Sequence, residues 1–430
     1  MTRVLAISDS DSYLKWSVAT LRALPKSWSS TQLVVKNPVL PSPEQARAAA
    51  GAPVSTLAYP ALQRRIDQER PDVVLLAASG PVVAALTAAP ALRGPDRPVL
   101  VSGLPGISVP ATPRAVTLRA GCDVFVLHSH REIAEFTALA AELGVPHRFG
   151  LARLPFLPPG PPAAADPPGD GPLVFAAQAK VPVRREDREQ ILLALARSGR
   201  AVVKLRALST EWQTHHEPWP YPQLYAGLVQ AGRVEPDALH FAAGSMTEAL
   251  AGARGLVTVS STAALEAMAL GLPVLTLSDF GVSEEMINTV FAGSGCLGTL
   301  ADLATGRPAT ADPAWTAANY FHPSADNTWL DEISGRVAAR SDGALPALPR
   351  VSGSRWSQAR RRLRLAVPPG LWSRVQPWRT RVSRAPGRTA RVRPPSHPVG
   401  SAPAAPLAGP PDEHRPPPAA SPPGPSDPGR

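Results

Sequence analysis

The chain has 430 residues, 44% of them apolar, and a formal net charge of +10 at pH 7. The charge is unevenly placed: from Arg350 onward there are 15 Arg and no Lys against three acidic residues, a net charge of +12, which leaves −2 for the residues before it. A basic groove for nucleic acid is therefore not indicated, because the charge lies in the Pro-rich part that is least able to fold.

Other features exclude further classes of protein. No run of about 18 apolar residues predicts a membrane-spanning helix, and the first apolar run is shorter than the core of a signal peptide. The two cysteines, Cys122 and Cys296, favour a reducing environment and leave no basis for a metal cluster built on cysteine. We therefore expect a cytoplasmic protein.

The first 156 residues alternate between strand-like and helix-like segments, which is typical of a βαβ array with a parallel sheet. Apolar and β-branched runs predict strands at 3–7, 32–35, 54–57, 73–76, 98–101 and 124–127. Ala-rich or amphipathic segments predict helices at 13–24, 44–50, 61–69, 82–92 and 132–143. We predict that residues 1–156 form a Rossmann-like N-terminal domain.

Residues 157–172 are rich in Pro and Gly and are predicted to link two domains, because proline fixes φ and removes a backbone donor. A second alternating array follows at 173–341, with strands at 173–177, 201–205 and 239–241 and helices at 185–198, 223–231, 246–253 and 331–339. Residues 342–430 cannot bury enough apolar surface to offset their ordering entropy, so they are predicted to be a mostly disordered basic tail. The Arg- and Trp-containing part of this tail, around 356–378, is a candidate for peripheral contact with an anionic membrane surface.

One stretch of the second array, residues 255–279, predicts a strand, a Ser/Ser/Thr turn, a short helix and another strand. Ser261 or Thr262 can cap the helix, and Gly271 ends it before Pro273. Ser260, Ser261 and Thr262 place hydroxyls and backbone N–H groups beyond the strand, which predicts a seat for phosphate or another anion.

Two Rossmann-like halves place a cleft at the carboxyl ends of their strands, where ligands of open α/β sheets bind. After the first strand come Asp9, Ser10, Asp11 and Ser12, followed by Lys15. A helix cap explains one of these polar residues but not four in a row. We therefore predict that Asp9 or Asp11 faces the cleft and acts as a general base on an acceptor hydroxyl, with Ser10, Ser12 and Lys15 beside it.

A second polar cluster, residues 128–132, follows the sixth predicted strand. Ser129 and Glu132 have the spacing of a capping box. His128 stands at the tip of the strand, and we predict that it reaches the cleft.

In the second half, the polar residues that follow strands are candidates for binding a donor. Gln178 ends the first strand of this half, and Lys204 and Arg206 share one face at the end of the next, which suits a diphosphate. Glu266 lies one helical turn after Thr262 on the same face, where it can accept ribose hydroxyls. The loop 212–219 contains Trp and His but lacks a metal-binding signature, so no metal site is predicted there.

Taken together, these motifs resemble the GT-B glycosyltransferases, in which two Rossmann-like domains face each other across a cleft. The Ser260-Ser261-Thr262 turn with Glu266 and Gly271-Leu-Pro273 is similar to the donor motif of bacterial capsule-type sugar transferases. From residue 3 to about residue 327 the chain resembles an uncharacterised actinobacterial family of glycosyltransferases. The His-Pro pair of sialyl- and Kdo-transferases is replaced by Lys204-Leu-Arg206, so the donor nucleotide stays open.

The resemblance implies a metal-independent enzyme with no cofactor, in which a nucleotide sugar is a substrate. It implies transfer of the sugar to a glycan or lipid-linked acceptor in envelope or capsule polysaccharide synthesis, in the cytoplasm or at the inner face of the cell membrane. Two alternatives stay open: a sugar-nucleotide 2-epimerase, and a GT-B-like scaffold without catalytic activity.

Overall fold

The computed structural model describes residues 1–37, 40–158, 162–163, 170–205, 217–306 and 308–349. In this part of the chain the first half forms a parallel seven-stranded sheet with the order β3-β2-β1-β4-β5-β6-β7. Its strands are β1 Arg3–Ser8, β2 Ser29–Val35, β3 Ser55–Leu57, β4 Val73–Ala77, β5 Val99–Gly103, β6 Val124–Leu127 and β7 Phe149–Leu151. The strands β4, β5 and β6 are buried along their whole length, as expected for a parallel sheet covered on both faces.

Helices that follow the strands cover this sheet. They are α1 Asp11–Arg22, α2 Pro43–Ala50, α3 Tyr59–Glu69, α4 Gly80–Leu86, α5 Pro113–Leu118 and α6 His130–Glu142. The segment predicted as one helix at 82–92 is divided: α4 ends at Leu86, and a single 3₁₀ turn follows at Pro90–Leu92. The physical reason is Pro90, which has no N–H to continue the helical ladder.

The second half repeats the arrangement with a six-stranded parallel sheet, counted over the described residues, in the order β10-β9-β8-β11-β12-β13. Its strands are β8 Leu173–Ala176, β9 Ala201–Lys204, β10 Leu239–Ala242, β11 Gly255–Thr258, β12 Val274–Leu277 and β13 Leu297–Gly298. Its helices are α7 Arg185–Arg197, α8 Tyr221–Gln230, α9 Met246–Leu250, α10 Ala263–Ala269, α11 Leu300–Ala304 and α12 Pro313–Ala318. Both sheets have the doubly wound order, so each has a crevice where the strand order reverses: between β1 and β4, and between β8 and β11. The predicted GT-B fold is thereby confirmed.

The closing helix, α13 Trp329–Ser341, lies on a different half from the one predicted. Trp329 and Ile333 are buried in the same apolar cluster as Val4 and Val99 of the first sheet. The prediction that residues 173–341 form one domain is therefore wrong at its end, because the amphipathic face of α13 completes the core of the first half. Sequence alone shows an apolar face but not the sheet that it covers.

Residues 342–349, which were assigned to the disordered tail, also pack on the first half. Leu345 and Leu348 lie against its apolar clusters, and Arg97 donates a hydrogen bond to the Pro346 carbonyl at 2.7 Å. The rest of the predicted tail, including the candidate membrane-contact segment, lies outside the described residues.

The two halves are joined by apolar contacts as well as by the chain. Val109 of the first half is buried in the core cluster of the second half, as are Leu154 and Leu157, which follow β7. Tyr320, which belongs to the same cluster, donates its hydroxyl proton to Glu132 of the first half at 2.7 Å. None of the described helices is long and apolar enough to cross a membrane.

Candidate functional site

The Ser/Ser/Thr turn (Ser260, Ser261 and Thr262) lies at the crevice of the second sheet and is held by Gln178. The side-chain amide of Gln178, which follows β8, donates to the Ser260 carbonyl and accepts from the Ser260 N–H, both at 2.8 Å. Thr258 at the end of β11 adds a third support, since its hydroxyl accepts from the Ser261 N–H at 3.1 Å. Gln178 therefore fixes the turn that follows the neighbouring strand β11. It lies at the donor site, as the sequence predicts, but its side-chain amide is bound to the turn backbone.

The three hydroxyls of the Ser/Ser/Thr turn are not equivalent. Ser260 donates its hydroxyl proton to the Ile287 carbonyl, so this proton is not offered to a ligand. The Ser261 hydroxyl caps α10 by accepting from the Ala263 N–H at 3.2 Å, which leaves its own proton to be donated. Thr262 occupies the N-cap position without a capping bond from its side chain. Donation to a ligand therefore falls to Ser261 and Thr262.

Charged groups from both halves converge beside this turn. Burial raises the pKa of Glu266, and the ammonium groups of Lys15 and Lys204 oppose that rise. Burial lowers the pKa of Lys204, and the charge of Lys15 lowers it further, whereas Glu248 and Glu266 raise it. Lys15 belongs to α1 of the first half and its side chain is 59% exposed. The structure thus brings Lys15, Lys204 and Glu266 together across the two halves.

Lys204, at the end of β9, donates a hydrogen bond within the protein. It is 5% exposed, and its Nζ donates to the Leu205 carbonyl at 2.9 Å. An ammonium group has three protons, and within the described part of the chain this bond uses one of them, which leaves two for an anion. Arg206, the second cation predicted at this strand end, lies outside the described residues, as does most of the loop 212–219.

At the crevice of the first sheet, Asp9 is anchored by Ser79 from the end of β4. The Asp9 Oδ2 atom accepts from the Ser79 N–H at 2.9 Å and from its hydroxyl at 2.6 Å. The Oδ1 atom is buried and has no hydrogen-bond partner. Burial raises the pKa of Asp9, while hydrogen bonds from Ser79 and Ser10 and the charge of Arg119 lower it.

Asp11, the second predicted carboxylate, is paired with a cation of its own helix. It opens α1, and its Oδ2 forms an ion pair with Lys15 at 2.8 Å. Ser10 is the N-cap residue of α1 but makes no capping bond, and Ser10 and Ser12 are both half-buried. The structure therefore places the whole predicted acidic cluster at the carboxyl end of β1.

Sequence reasoning missed the buried cation that supports this end of the first sheet. Arg119 is 2% exposed, and its guanidinium donates to the Tyr13 hydroxyl at 2.9 Å and to the Ala78 carbonyl at 3.2 Å. It also stacks on the Phe125 ring, 5.3 Å from the ring centroid. No strand-end motif marks Arg119, because it follows a short helix that the sequence does not predict. Ser79, in contrast, follows a predicted strand and could have been found by the same criterion as Asp9.

The prediction that His128 reaches the cleft is wrong. The ring is 1% exposed, with Nε2 accepting from the Trp16 indole N–H at 2.8 Å and Nδ1 lying 2.9 Å from the Ala152 carbonyl. Burial lowers the pKa of His128 to about 4. The indole and the carbonyl occupy both ring nitrogens, so the ring is a neutral part of the core.

The predicted capping box at the start of α6 is only half present. The Ser129 hydroxyl accepts from the Glu132 N–H at 3.0 Å, as predicted. The Glu132 carboxylate, however, accepts from the N–H groups of His128 and Ser108 and from the Tyr320 hydroxyl. Local spacing predicts the cap, but the tertiary structure brings stronger partners to the carboxylate.

No group of three or more His, Cys, Asp and Glu side chains is arranged to hold a metal ion in the part of the chain that the structure describes. The second half offers one ammonium group, two hydroxyl donors and a carboxylate, and the first half offers one ammonium group and two carboxylates. Cations with hydroxyls suit a phosphate, and a desolvated carboxylate suits proton transfer.

A family model described as "Putative glycosyltransferase (DUF6716)" matches residues 4–335, which is most of the chain. The chain therefore belongs to this family. No curated protein matches the chain significantly.

Solved structures share the fold at low sequence identity. The UDP-GlcNAc 2-epimerase from Neisseria meningitidis bound to UDP-GlcNAc is 10% identical with a TM-score of 0.47, over 79% of this chain and 100% of that one. A ugt transferase from Siraitia grosvenorii in complex with UDP is 13% identical with a TM-score of 0.44, over 85% and 100%. A UDP-glucosyltransferase from Polygonum tinctorium is 12% identical with a TM-score of 0.41, over 86% and 99%. Likeness at this level does not indicate which reaction or donor belongs to this chain.

Proposed function

We propose that this protein is a glycosyltransferase that moves a sugar from a nucleotide-sugar donor to a hydroxyl of a glycan or lipid-linked acceptor. The observation that carries the proposal is the convergence of Lys15, Lys204 and Glu266 beside the Ser/Ser/Thr turn, in a chain of this family. The charge of Lys15 lowers the affinity of Lys204 for a proton, and an anion between the two ammonium groups would relieve that repulsion. The phosphate of a nucleotide sugar is such an anion.

In this proposal the second half binds the donor. Lys204 from one half and Lys15 from the other contact the phosphates, and the Ser261 and Thr262 hydroxyls donate to phosphate oxygens. Glu266 lies one helical turn below Thr262 and accepts the ribose hydroxyls. The cations also stabilise the charge that develops on the leaving phosphate oxygen.

The first half supplies the base. Both Asp9 and Asp11 have a buried Oδ1 without a partner. We assign the role to Asp9, because burial raises the pKa of its carboxylate. Asp11 is held in an ion pair by Lys15, and we assign it to the wall of the cleft. In a single displacement the acceptor oxygen bonds to the anomeric carbon, the bond from that carbon to the phosphate oxygen breaks, and the acceptor proton passes to Asp9.

The donor nucleotide stays open, and the finer expectations stay predictions: the acceptor, a place in envelope or capsule synthesis, and action without a metal. The epimerase alternative requires a histidine that converges with carboxylates on one sugar. His128 follows β6 of the same sheet as Asp9, and both of its ring nitrogens are occupied. His215 and His216 lie outside the described residues. No observation favours that alternative over transfer.

The test uses the full chain with a panel of nucleotide sugars and extracted acceptors, comparing wild type with Asp9→Asn and the matched variant Asp11→Asn. General-base catalysis contributes about 10²- to 10⁴-fold, so Asp9→Asn should lose at least about a hundredfold in kcat while donor affinity is retained. Asp11→Asn should lose much less. Equal activity of Asp9→Asn and wild type would refute the assignment of the base, and a wild-type chain that binds no nucleotide sugar would refute the function.

A further inference from the structure

Glu132 is a buried carboxylate that the proposed reaction does not use. It lies in the first turn of α6 and is 0% exposed. A carboxylate is costly to bury unless it accepts several hydrogen bonds. The hydrogen-bond partners of Glu132 therefore indicate its structural role.

Those partners come from three separate parts of the molecule. Oε2 accepts from the His128 N–H at the end of β6, at 2.7 Å. Oε1 accepts from the Ser108 N–H at 2.9 Å and from the Tyr320 hydroxyl at 2.7 Å. Ser108 belongs to the bridging loop (residues 104–110) that follows β5, and Tyr320 belongs to the second half. One side chain therefore ties the first sheet, the bridging loop and the second half together.

The bridging loop reaches the proposed donor site. A Cβ atom placed on Gly106 would lie 3.0 Å from the Thr262 Cγ2 atom, so the loop backbone packs directly against the Ser/Ser/Thr turn. Two residues further on, Ser108 donates its N–H to Glu132 and its hydroxyl proton to the Gly106 carbonyl at 3.1 Å. Val109 is buried in the core of the second half.

We propose that Glu132 is a positioning residue that sets the bridging loop against the Ser/Ser/Thr turn, and that it must be ionised to do so. The proposal rests on the proposed function, because its readout is the affinity for a nucleotide sugar. A carboxylate accepts all three bonds, whereas a protonated carboxyl group presents an O–H that competes with the three donors.

The surrounding groups leave Glu132 as the titrating member of this cluster. Burial raises its pKa to about 7, helped by the charge of Glu135 and opposed by the bonds from His128, Tyr320 and Ser108. On the same helix, Arg131 and Glu135 form an ion pair at 2.9 Å. Across from them, burial raises the pKa of Tyr320 well above its usual value, and His128 stays neutral above a pH of about 4.

The experiment measures nucleotide-sugar affinity by calorimetry from pH 5.5 to 8.5, using the full chain. The phosphates of a nucleotide sugar keep their charge over this range, so a step in affinity reports on the protein. Wild type should bind more tightly as the pH rises through about 7, whereas Glu132→Gln should bind about fivefold to tenfold more weakly at pH 8, without the step at 7. The matched control Glu135→Gln, on the same helix, should keep the step, with its midpoint moved to lower pH because the charge of Glu135 raises the pKa of Glu132.

A second variant covers the outcome that Glu132→Gln does not fold. Tyr320→Phe removes one donor to the carboxylate, so it should move the midpoint of the step to higher pH. A wild-type profile in Glu132→Gln, or an unshifted midpoint in Tyr320→Phe, would overturn the proposal while leaving the proposed function intact. Absence of any nucleotide-sugar binding by wild type would overturn both.

Discussion

Lys204→Met separates binding from stability at the proposed donor site. Lys204 is 5% exposed at the end of β9, and burial and the charge of Lys15 lower its pKa. The unliganded protein therefore holds this ammonium group at a cost in free energy. A donor phosphate would offset that cost, and a methionine keeps the aliphatic part of the side chain while removing the charge.

The structure sets the size of both effects. A hydrogen bond to a charged group contributes about 1.5–3 kcal/mol, which corresponds to an affinity loss of about 10- to 150-fold. The unliganded protein loses the bond from Nζ to the Leu205 carbonyl but is relieved of a buried charge. These changes oppose each other, so the free energy of unfolding should change by less than about 1 kcal/mol.

Calorimetry with the donor and urea unfolding without it would measure the two quantities. Lys26→Met is the matched control, because Lys26 is exposed and lies four residues after the end of α1. It should change neither quantity. Wild-type affinity in Lys204→Met would refute the placement of the phosphate, and an affinity loss that merely follows a loss of several kcal/mol in stability would refute the separation of the two roles.

Two further predictions concern packing and pH. Gly106→Ala adds a Cβ at 3.0 Å from the Thr262 Cγ2 atom and should weaken donor binding about fivefold, for a packing cost of about 1 kcal/mol. The control Gly227→Ala, whose Cβ would have nothing within 4 Å, should leave donor binding unchanged. Equal effects of the two variants on donor affinity would argue against the contact. Burial lowers the pKa of His128 from 6.5 to about 4, so the native state loses roughly 3 kcal/mol as the pH falls through that window, because the unfolded state takes up the proton first. In urea unfolding, His128→Gln should lose less stability than wild type between pH 6.5 and 4, and parallel curves would contradict the assigned pKa.

Much of the fold could be predicted because local sequence patterns specify most of its strands and helices. Strands such as β6, a continuous apolar run, and helices such as α6, with one apolar face, follow from periodicity alone. The elements that escaped prediction are short or begin at proline, such as α5 and α12, and have too few residues to display a period. The helix α13 was predicted as an element but assigned to the wrong half, because an apolar helix face does not show which sheet it packs against.

The candidate site divides in the same way. Polar residues after strands identified Asp9 and Lys204, since the carboxyl ends of parallel strands meet at one edge. The partner that each side chain chooses is not a local property. Glu132 has the spacing of a capping residue, yet its carboxylate binds Ser108, 24 residues away, and Tyr320, 188 residues away.

The sequence by itself determined the two βαβ arrays and the strand ends that carry polar groups, because these depend on period, composition and turn chemistry over a few residues. Most of the predicted linker at 157–172 lies outside the described residues. Only the tertiary structure decided that Lys15 of the first half lies with Lys204 and Glu266 of the second. It also decided that His128, on a strand end like Asp9, turns into the core to meet Trp16. The physical reason is that burial and ionic contact depend on which distant residues fold together, and the local sequence around each residue does not specify those distant partners.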